Sequence, residues 1–156
     1  MSIQINIGDH VSPFTLFKPV PFRHQWATKW ARNRAKEIAA NVKTADKYFK
    51  SLPGKRSLTQ LLADRRIWIN YAPDLYARGM RPDGSNEIGI GDFAYLGGKM
   101  IVLATLIHEL AHIAGAPDGK SRAAEDALIH CGLGKQSEAD SNIDDPSTPY
   151  DPDARG

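Results

Sequence analysis

The chain has 156 residues, enough for one domain, and 42% of them are hydrophobic and 24% charged, which is typical of a globular protein. Its single cysteine, Cys131, excludes an intrachain disulfide, so a hydrophobic core or a metal must stabilise the fold. No apolar run is long enough to span a membrane. The first residues also lack the basic and apolar stretches of a secretory signal peptide, so we expect none.

The small net charge of +2 conceals an uneven distribution. Residues 1–66 carry 13 basic and 4 acidic side chains, a net charge of +9. Residues 67–132 carry 5 basic and 8 acidic side chains, and residues 133–156 carry 2 basic and 6 acidic ones. A basic block of this kind can bind an acidic partner or nucleic acid, although a solvated helix face is the simpler interpretation. We consider an acidic partner for residues 23–66 and do not expect nucleic acid.

The first half of the chain is predicted to be mainly helical. Residues 1–21 contain three prolines and are expected to form an extended arm, with a short strand at residues 3–7. Apolar side chains recur at steps of three and four over residues 23–50, which predicts one long helix. Residues 57–65 predict a short helix, because Ser57 is a suitable N-cap.

The second half mixes strands and helices. Residues 66–71 alternate and are rich in β-formers, which predicts a strand, and a helical turn is expected at residues 75–80. Residues 88–95 predict a second strand, although two glycines weaken it. Helices are predicted over residues 99–114 and 121–131.

The last residues differ in composition from the rest. Residues 133–156 are rich in acids and prolines and hold too little apolar surface to offset their ordering entropy. We therefore expect a single folded domain over residues 1–132, followed by a mobile acidic tail.

The predicted helix over residues 99–114 is apolar on nearly every side, which indicates burial. Its polar residues after Lys99 are Thr105, His108, Glu109 and His112, and they fall within an arc of about 100° at the helical period. Unpaired polar groups inside a protein cost about 1–3 kcal/mol each. A buried helix with such a stripe therefore needs a specific use for it.

The stripe contains the pattern H-E-x-x-H. Histidines four residues apart project from one helix face, and both can bind a single Zn²⁺. Glu109 follows the first histidine and can accept a proton from a zinc-bound water. In a chain with five His and five Glu, only about 0.005 such matches are expected by chance. A pair of core histidines bonded to backbone is the competing interpretation.

These residues make the chain resemble the zincin metallopeptidases, with a firm match over residues 108–115 and a looser one over residues 88–95 and the last helix. Zincins have an edge strand before the active-site helix that holds an extended substrate by main-chain hydrogen bonds, and residues 88–95 are expected to be that strand. The compact size, proline-rich entry and polar tail also resemble metallopeptidase toxin domains of bacterial effectors. That resemblance implies a chain made in the cytoplasm and delivered to a target cell by a secretion system.

A catalytic zinc usually has three protein ligands and one water, so a third ligand is required. Glu125 follows on the next helix and resembles the gluzincin arrangement, although at a much shorter spacing. Asp118 completes H-E-x-x-H-x-x-G-x-x-D, which resembles the metzincin pattern with aspartate for its third histidine. His130 is a suitable ligand more than a turn further along. We expect Glu125 and keep the other two open.

Four further residues are weaker candidates. Tyr71, Tyr76 or Tyr95 could stabilise an oxyanion, although each is more simply a strand or core aromatic. Asp92 could orient a ligand histidine or be a turn residue.

The sequence thus predicts an α+β fold, with a small, mostly antiparallel sheet packed on the buried helix and the long N-terminal helix beside it. The expected function is zinc-dependent peptide hydrolysis, with His108, His112 and Glu125 as ligands and Glu109 as general base. Two alternatives stay open: a nucleic-acid-associated metalloprotein and a zinc-stabilised binding module without catalysis.

Overall fold

The computed structural model describes residues 2–119 and 121–134. They form a mixed α+β fold with the element order β1 (Gln4–Ile5), α1 (Phe22–Asn41), α2 (Lys43–Ser51), α3 (Leu58–Leu62), β2 (Trp68–Tyr71), β3 (Gly79–Met80), β4 (Glu87–Ile90), α4 (Asp92–Gly97), α5 (Lys99–Ile113) and α6 (Ala123–His130). The α+β class is as predicted. The expected mobile tail falls almost entirely outside the described residues.

The sheet is mostly parallel, so the prediction of a mostly antiparallel sheet was wrong. Its strand order is β1-β2-β4-β3, and both β1–β2 and β2–β4 are parallel, whereas only β3–β4 is antiparallel. Strand direction depends on the connections, and the helices between β1 and β2 form a crossover that returns the chain in the same direction. The alternation of apolar and polar side chains in a sequence does not indicate whether neighbouring strands are parallel or antiparallel.

Strand β4 is central in the sheet and is buried along its whole length. Helix α5 packs on the sheet at this strand. On a face of β4, the ring of Phe17 from the N-terminal arm lies so close to Gly89 that a Cβ there would be 2.3 Å from Phe17 Cε1. The arm is therefore a packed part of the fold, and Ile3 is fully buried. Burial on both faces is typical of parallel strands.

Two predicted elements differ strongly from the structure. The single helix expected over residues 23–50 is divided at Val42, which has an extended conformation with φ −98° and ψ 102°. No glycine or proline marks this break, so it was not predicted. The strand expected over residues 88–95 ends at Ile90, and the helix α4 begins at Asp92. The glycine between them begins the turn into α4.

Helix α5 agrees with its prediction and lies at the centre of the molecule. Every residue from Ile101 to His112 is buried, and the helix packs against α1, α4, α6 and the sheet. Burial on all sides explains why it is apolar on all sides. Helix α3 begins with a capping box in which Ser57 Oγ accepts from the Gln60 backbone N–H and Gln60 accepts from that of Ser57. In the described residues, no helix is both long and apolar enough to cross a membrane.

Candidate functional site

The H-E-x-x-H residues lie in the last turns of α5, at the floor of a cleft of about 300 Å³. His108, Glu109 and His112 line it from the helix, Gly79, Met80 and Arg81 from the edge of the sheet, and Asp118 from the loop after α5. The histidines and Glu109 are nearly inaccessible to solvent, at 1%, 6% and 3% exposure. The predicted stripe therefore forms one polar surface inside an otherwise apolar region.

The two histidines approach each other through their outer ring nitrogens. His108 Nε2 and His112 Nε2 are 3.2 Å apart, and the rings are inclined by 67°. Two nitrogens that bind one Zn²⁺ at 2.0–2.1 Å with a tetrahedral angle would lie about 3.4 Å apart. The pair therefore fits the separation needed to hold one zinc ion. The same distance also fits an N–H···N hydrogen bond.

The loop after α5 fixes the orientation of His112. His112 Nδ1 lies 2.8 Å from the Ala116 carbonyl oxygen and 3.2 Å from Asp118 Oδ1. Since a carbonyl oxygen can only accept, Nδ1 must carry the proton and donate it. In the neutral ring, the lone pair is then on Nε2, on the side of His108. This is the ring state that a zinc ligand requires.

Gly115 makes this loop possible. Its φ of +105° is a left-handed conformation that favours glycine, and the turn directs the chain so that the Ala116 oxygen returns to His112. The segment packs closely on the chain after α2, where the Gly54 N–H donates to the Ala114 oxygen at 2.8 Å. The ring of His112 is thus oriented by a closely packed turn.

The structure places the three candidates for a third ligand differently. Asp118 lines the cleft but lies next to Nδ1 of His112, on the opposite side of the ring from His108. This position suits a carboxylate that orients the histidine. His130 is stacked on the ring of Tyr48 at 4.4 Å and does not line the cleft.

Glu125 is completely buried on α6, which packs against α5. It lies close enough to the Tyr48 hydroxyl to affect its pKa. Burial, together with the charges of Asp126 and Glu125, raises the pKa of Tyr48 to about 12. Within residues 2–119 and 121–134, no group of three or more His, Cys, Asp and Glu side chains lies close enough to hold a metal ion. The identity of the third ligand therefore stays a prediction.

Strand β3 supplies the open edge of the site, a role that the resemblance to zincins assigned to residues 88–95. That assignment was wrong, since β4 lies between β2 and β3. The helical turn expected at residues 75–80 was wrong too, because Gly79 and Met80 form β3. The turn sequence at residues 82–86 between two extended segments was the available sign of this hairpin.

The register of β3 shows which main-chain groups face outwards. The Gly91 N–H donates to the Arg78 oxygen, and Gly79 lies opposite Ile90. Because bonded and non-bonded pairs alternate in antiparallel ladders, the Gly79–Ile90 pair is non-bonded. The Ile90 oxygen indeed accepts from Ala72, on the β2 side. The N–H and C=O of Gly79 therefore point to the open edge, beside the cleft.

Gly79 is also in close contact with the helix. A Cβ on Gly79 would lie 2.4 Å from Thr105 Cγ2 and 3.1 Å from Glu109 Oε1. The missing side chain allows the strand edge to approach the carboxylate directly. Sequence reasoning missed Gly79 and also Arg81, the basic residue that lines the cleft.

Arg81 brings a positive charge to an acidic cleft. Burial lowers the pKa of its guanidinium, whereas the carboxylates of Asp83, Asp118 and Glu109 raise it. Its Nε donates to the Ser85 carbonyl oxygen at 2.7 Å, which fixes the side chain against the turn after β3.

The weaker candidates do not line this cleft. The hydroxyl of Tyr71 donates to Asp92 Oδ1 at 2.5 Å, and that of Tyr95 is 2.7 Å from Thr28 Oγ1. Tyr76 is almost fully exposed beside Phe93. Tyr71, Tyr95 and Asp92 thus belong to a separate polar network at the start of α1.

The chain matches no protein-family model, no curated protein and no solved structure.

Proposed function

We propose that this protein is a zinc-dependent metallopeptidase that hydrolyses peptide bonds. The observation that carries the proposal is the 3.2 Å approach of His108 Nε2 and His112 Nε2, with Glu109 in the same cleft. Core histidines that only filled space would not need a carboxylate and an open strand edge beside them. The resemblance to zincins, and to delivered bacterial toxin domains, agrees with this proposal.

In the proposed mechanism, His108 and His112 hold the zinc ion, with Glu125 as the expected third ligand and Asp118 or His130 as alternatives. A zinc ion held by these residues would polarise the scissile carbonyl and lower the pKa of a water molecule to about 7. Glu109 accepts the proton of the attacking water and delivers it to the departing amine as the C–N bond breaks. The low exposure of Glu109 strengthens its interaction with charge in the cleft.

The substrate is expected to bind as an additional strand along β3. The outward N–H and C=O of Gly79 offer it a pair of main-chain hydrogen bonds, directly beside Glu109. A peptide bound in this way lies across the cleft with its backbone next to the general base. This arrangement supports hydrolysis of a peptide over hydrolysis of a small ester or phosphate.

The central test is Glu109→Gln in the zinc-loaded protein. We expect about one zinc ion per chain in both the wild-type protein and the variant, measured by mass spectrometry of the metal. Hydrolysis of a quenched-fluorescent peptide mixture should fall by a factor of about 10²–10⁴ in the variant. Glu37→Gln is the matched control, since it makes the same chemical change on the exposed surface of α1. Full activity in Glu109→Gln would contradict the proposed role.

The third ligand is tested by zinc affinity at neutral pH. Glu125→Gln should abolish tight zinc binding, whereas Asp118→Asn should weaken it about 10- to 100-fold if Asp118 only orients His112. Asp126→Asn is the control on the same helix. Loss of zinc in Asp118→Asn alone would reverse the assignment. Four protein ligands and no bound water in an anomalous map would instead indicate a zinc-stabilised binding module.

A further inference from the structure

Arg81 has a defined place at the open edge of the cleft. It follows Met80 directly, and side chains alternate along an extended strand, so Arg81 is on the same face as Gly79. That face is turned towards α5, since a Cβ on Gly79 would touch Thr105 and Glu109. The guanidinium therefore lies at one end of the cleft, about two residues along the strand from the general base.

Among the described residues, the guanidinium is fixed by a hydrogen bond through one of its nitrogens. Its Nε donates to Ser85, whose own N–H donates to the Pro82 oxygen within the turn. In residues 2–119 and 121–134, this is the one hydrogen bond that Arg81 makes through its side chain. The side chain is thus held in one orientation, and its two terminal nitrogens remain as a pair of donors at the cleft.

The chemistry of this pair favours a carboxylate as the ligand. Parallel N–H groups of a guanidinium match the two oxygens of a carboxylate, and such bidentate pairs are stronger than bonds to a neutral carbonyl. Arg81 is half-buried, so its charge has lost part of its hydration. The cleft carboxylates Asp118 and Glu109 contribute electrostatic attraction but accept no hydrogen bond from it.

We propose that Arg81 binds a carboxylate of the peptide substrate, an inference that rests on the proposed function. The carboxylate is either an Asp or Glu side chain or the C-terminal carboxylate of the peptide. A peptide that pairs with Gly79 places the side chain two residues further along next to Arg81, because strand residues repeat every second position. An acidic side chain should therefore be selected at one position of the substrate only.

The test uses binding, so that it does not depend on catalysis. The Glu109→Gln protein, loaded with zinc and immobilised, is incubated with a random octapeptide library, once with free and once with amidated C-termini. Bound peptides are identified by mass spectrometry. Enrichment of Asp or Glu at one position in both libraries identifies a side chain as the ligand. If peptides are enriched only from the library with free C-termini, the ligand is the C-terminal carboxylate.

Variants assign the selection to Arg81. In Glu109→Gln/Arg81→Gln, the preference for the best acidic peptide over its Asn or amide counterpart should fall by about 10- to 100-fold. Arg81→Lys should restore part of it, since lysine retains the charge without the paired donors. Arg78→Gln is the control, three residues earlier on the opposite face of the same segment.

The inference is overturned if neither library shows acidic enrichment, or if the preference survives Arg81→Gln. Failure of the proposed function has a different signature. In that case the Glu109→Gln protein still shows the Arg81-dependent preference for acidic peptides, but the wild-type protein does not cleave the selected peptides.

Discussion

Replacing Gly79 by alanine tests the contact between the edge strand β3 and helix α5. Gly79 has no positive φ, so its backbone accepts a side chain without strain. The added Cβ would lie 2.4 Å from Thr105 Cγ2, which is closer than real carbon atoms approach, and 3.1–3.2 Å from two atoms of Glu109. Any destabilisation by the substitution therefore arises from these contacts.

The expected cost combines two opposing effects. Alanine restricts the unfolded chain and alone would stabilise the protein by about 0.4–1 kcal/mol. Overpacking of a filled interior costs about 1–3 kcal/mol, and both Thr105 and Gly79 are buried. We expect Gly79→Ala to lower the free energy of unfolding by about 1–2 kcal/mol, measured by urea denaturation.

Thr105→Ser removes the clashing methyl and so provides a rescue. The serine retains the hydroxyl that donates to the Ile101 oxygen at 2.7 Å, and the loss of one buried methyl should cost about 1 kcal/mol. In the double variant the alanine methyl occupies the vacated space. The double variant should therefore lose less unfolding free energy than the sum of the losses in Gly79→Ala and Thr105→Ser. The expected coupling free energy is about 1–2 kcal/mol.

Activity separates the two contacts of Gly79. The double variant should fold well but still displace Glu109 by a few tenths of an ångström, and peptide hydrolysis should remain about tenfold lower than in Thr105→Ser. A double-mutant cycle that is additive within about 0.3–0.5 kcal/mol would refute the contact with Thr105. Full activity in Gly79→Ala would refute the contact with Glu109.

Three further predictions concern the support of the site and the fold. Gly115→Ala should destabilise the protein by about 1–2 kcal/mol, because its φ is +105°, and should lower zinc affinity by loosening the bond of His112 to the loop, measured by metal titration. His10→Ala should cost about 1–3 kcal/mol in urea, because it removes the 2.8 Å bond to the buried Glu87 carboxylate. Hydrogen bonds from Arg66 and Arg56 hold the pKa of Asp64 far below its ordinary value. The ionised carboxylate therefore stabilises the folded protein fully above a pH of about 4, and this stabilisation is lost as the pH falls towards the pKa of the folded state. In denaturation curves recorded at acidic pH, Asp64→Asn should lack this part of the pH dependence.

Helix α5 was predictable because two independent patterns agree on it. An apolar run longer than a strand required a buried helix, and the histidine spacing required that both rings share one face. Both inferences depend on periodicity within a single element, which is a local property of the sequence. The structure agrees with them to within one residue at the end of the helix.

The strand edge was not predictable in the same way. Strand β3 has only two residues, one of them a glycine, so it has neither alternation nor β-formers. It forms because the turn after it returns the chain onto β4, and because Gly79 fits against Thr105 and Glu109. Those contacts join residues about 26–30 positions apart, and a scan along the chain cannot detect them.

The position of Gly79 explains why the site needs both helix α5 and the edge strand β3. A side chain at this position would separate the strand from α5, and the outward main-chain groups would then no longer lie beside Glu109. The same missing side chain thus leaves space for the carboxylate and brings the open edge of β3, which we propose pairs with a peptide, next to it. If the strand served only to complete the sheet, a larger residue on a longer strand would stabilise it better. The close approach is therefore better explained by the proposed chemistry of the cleft than by the stability of the fold.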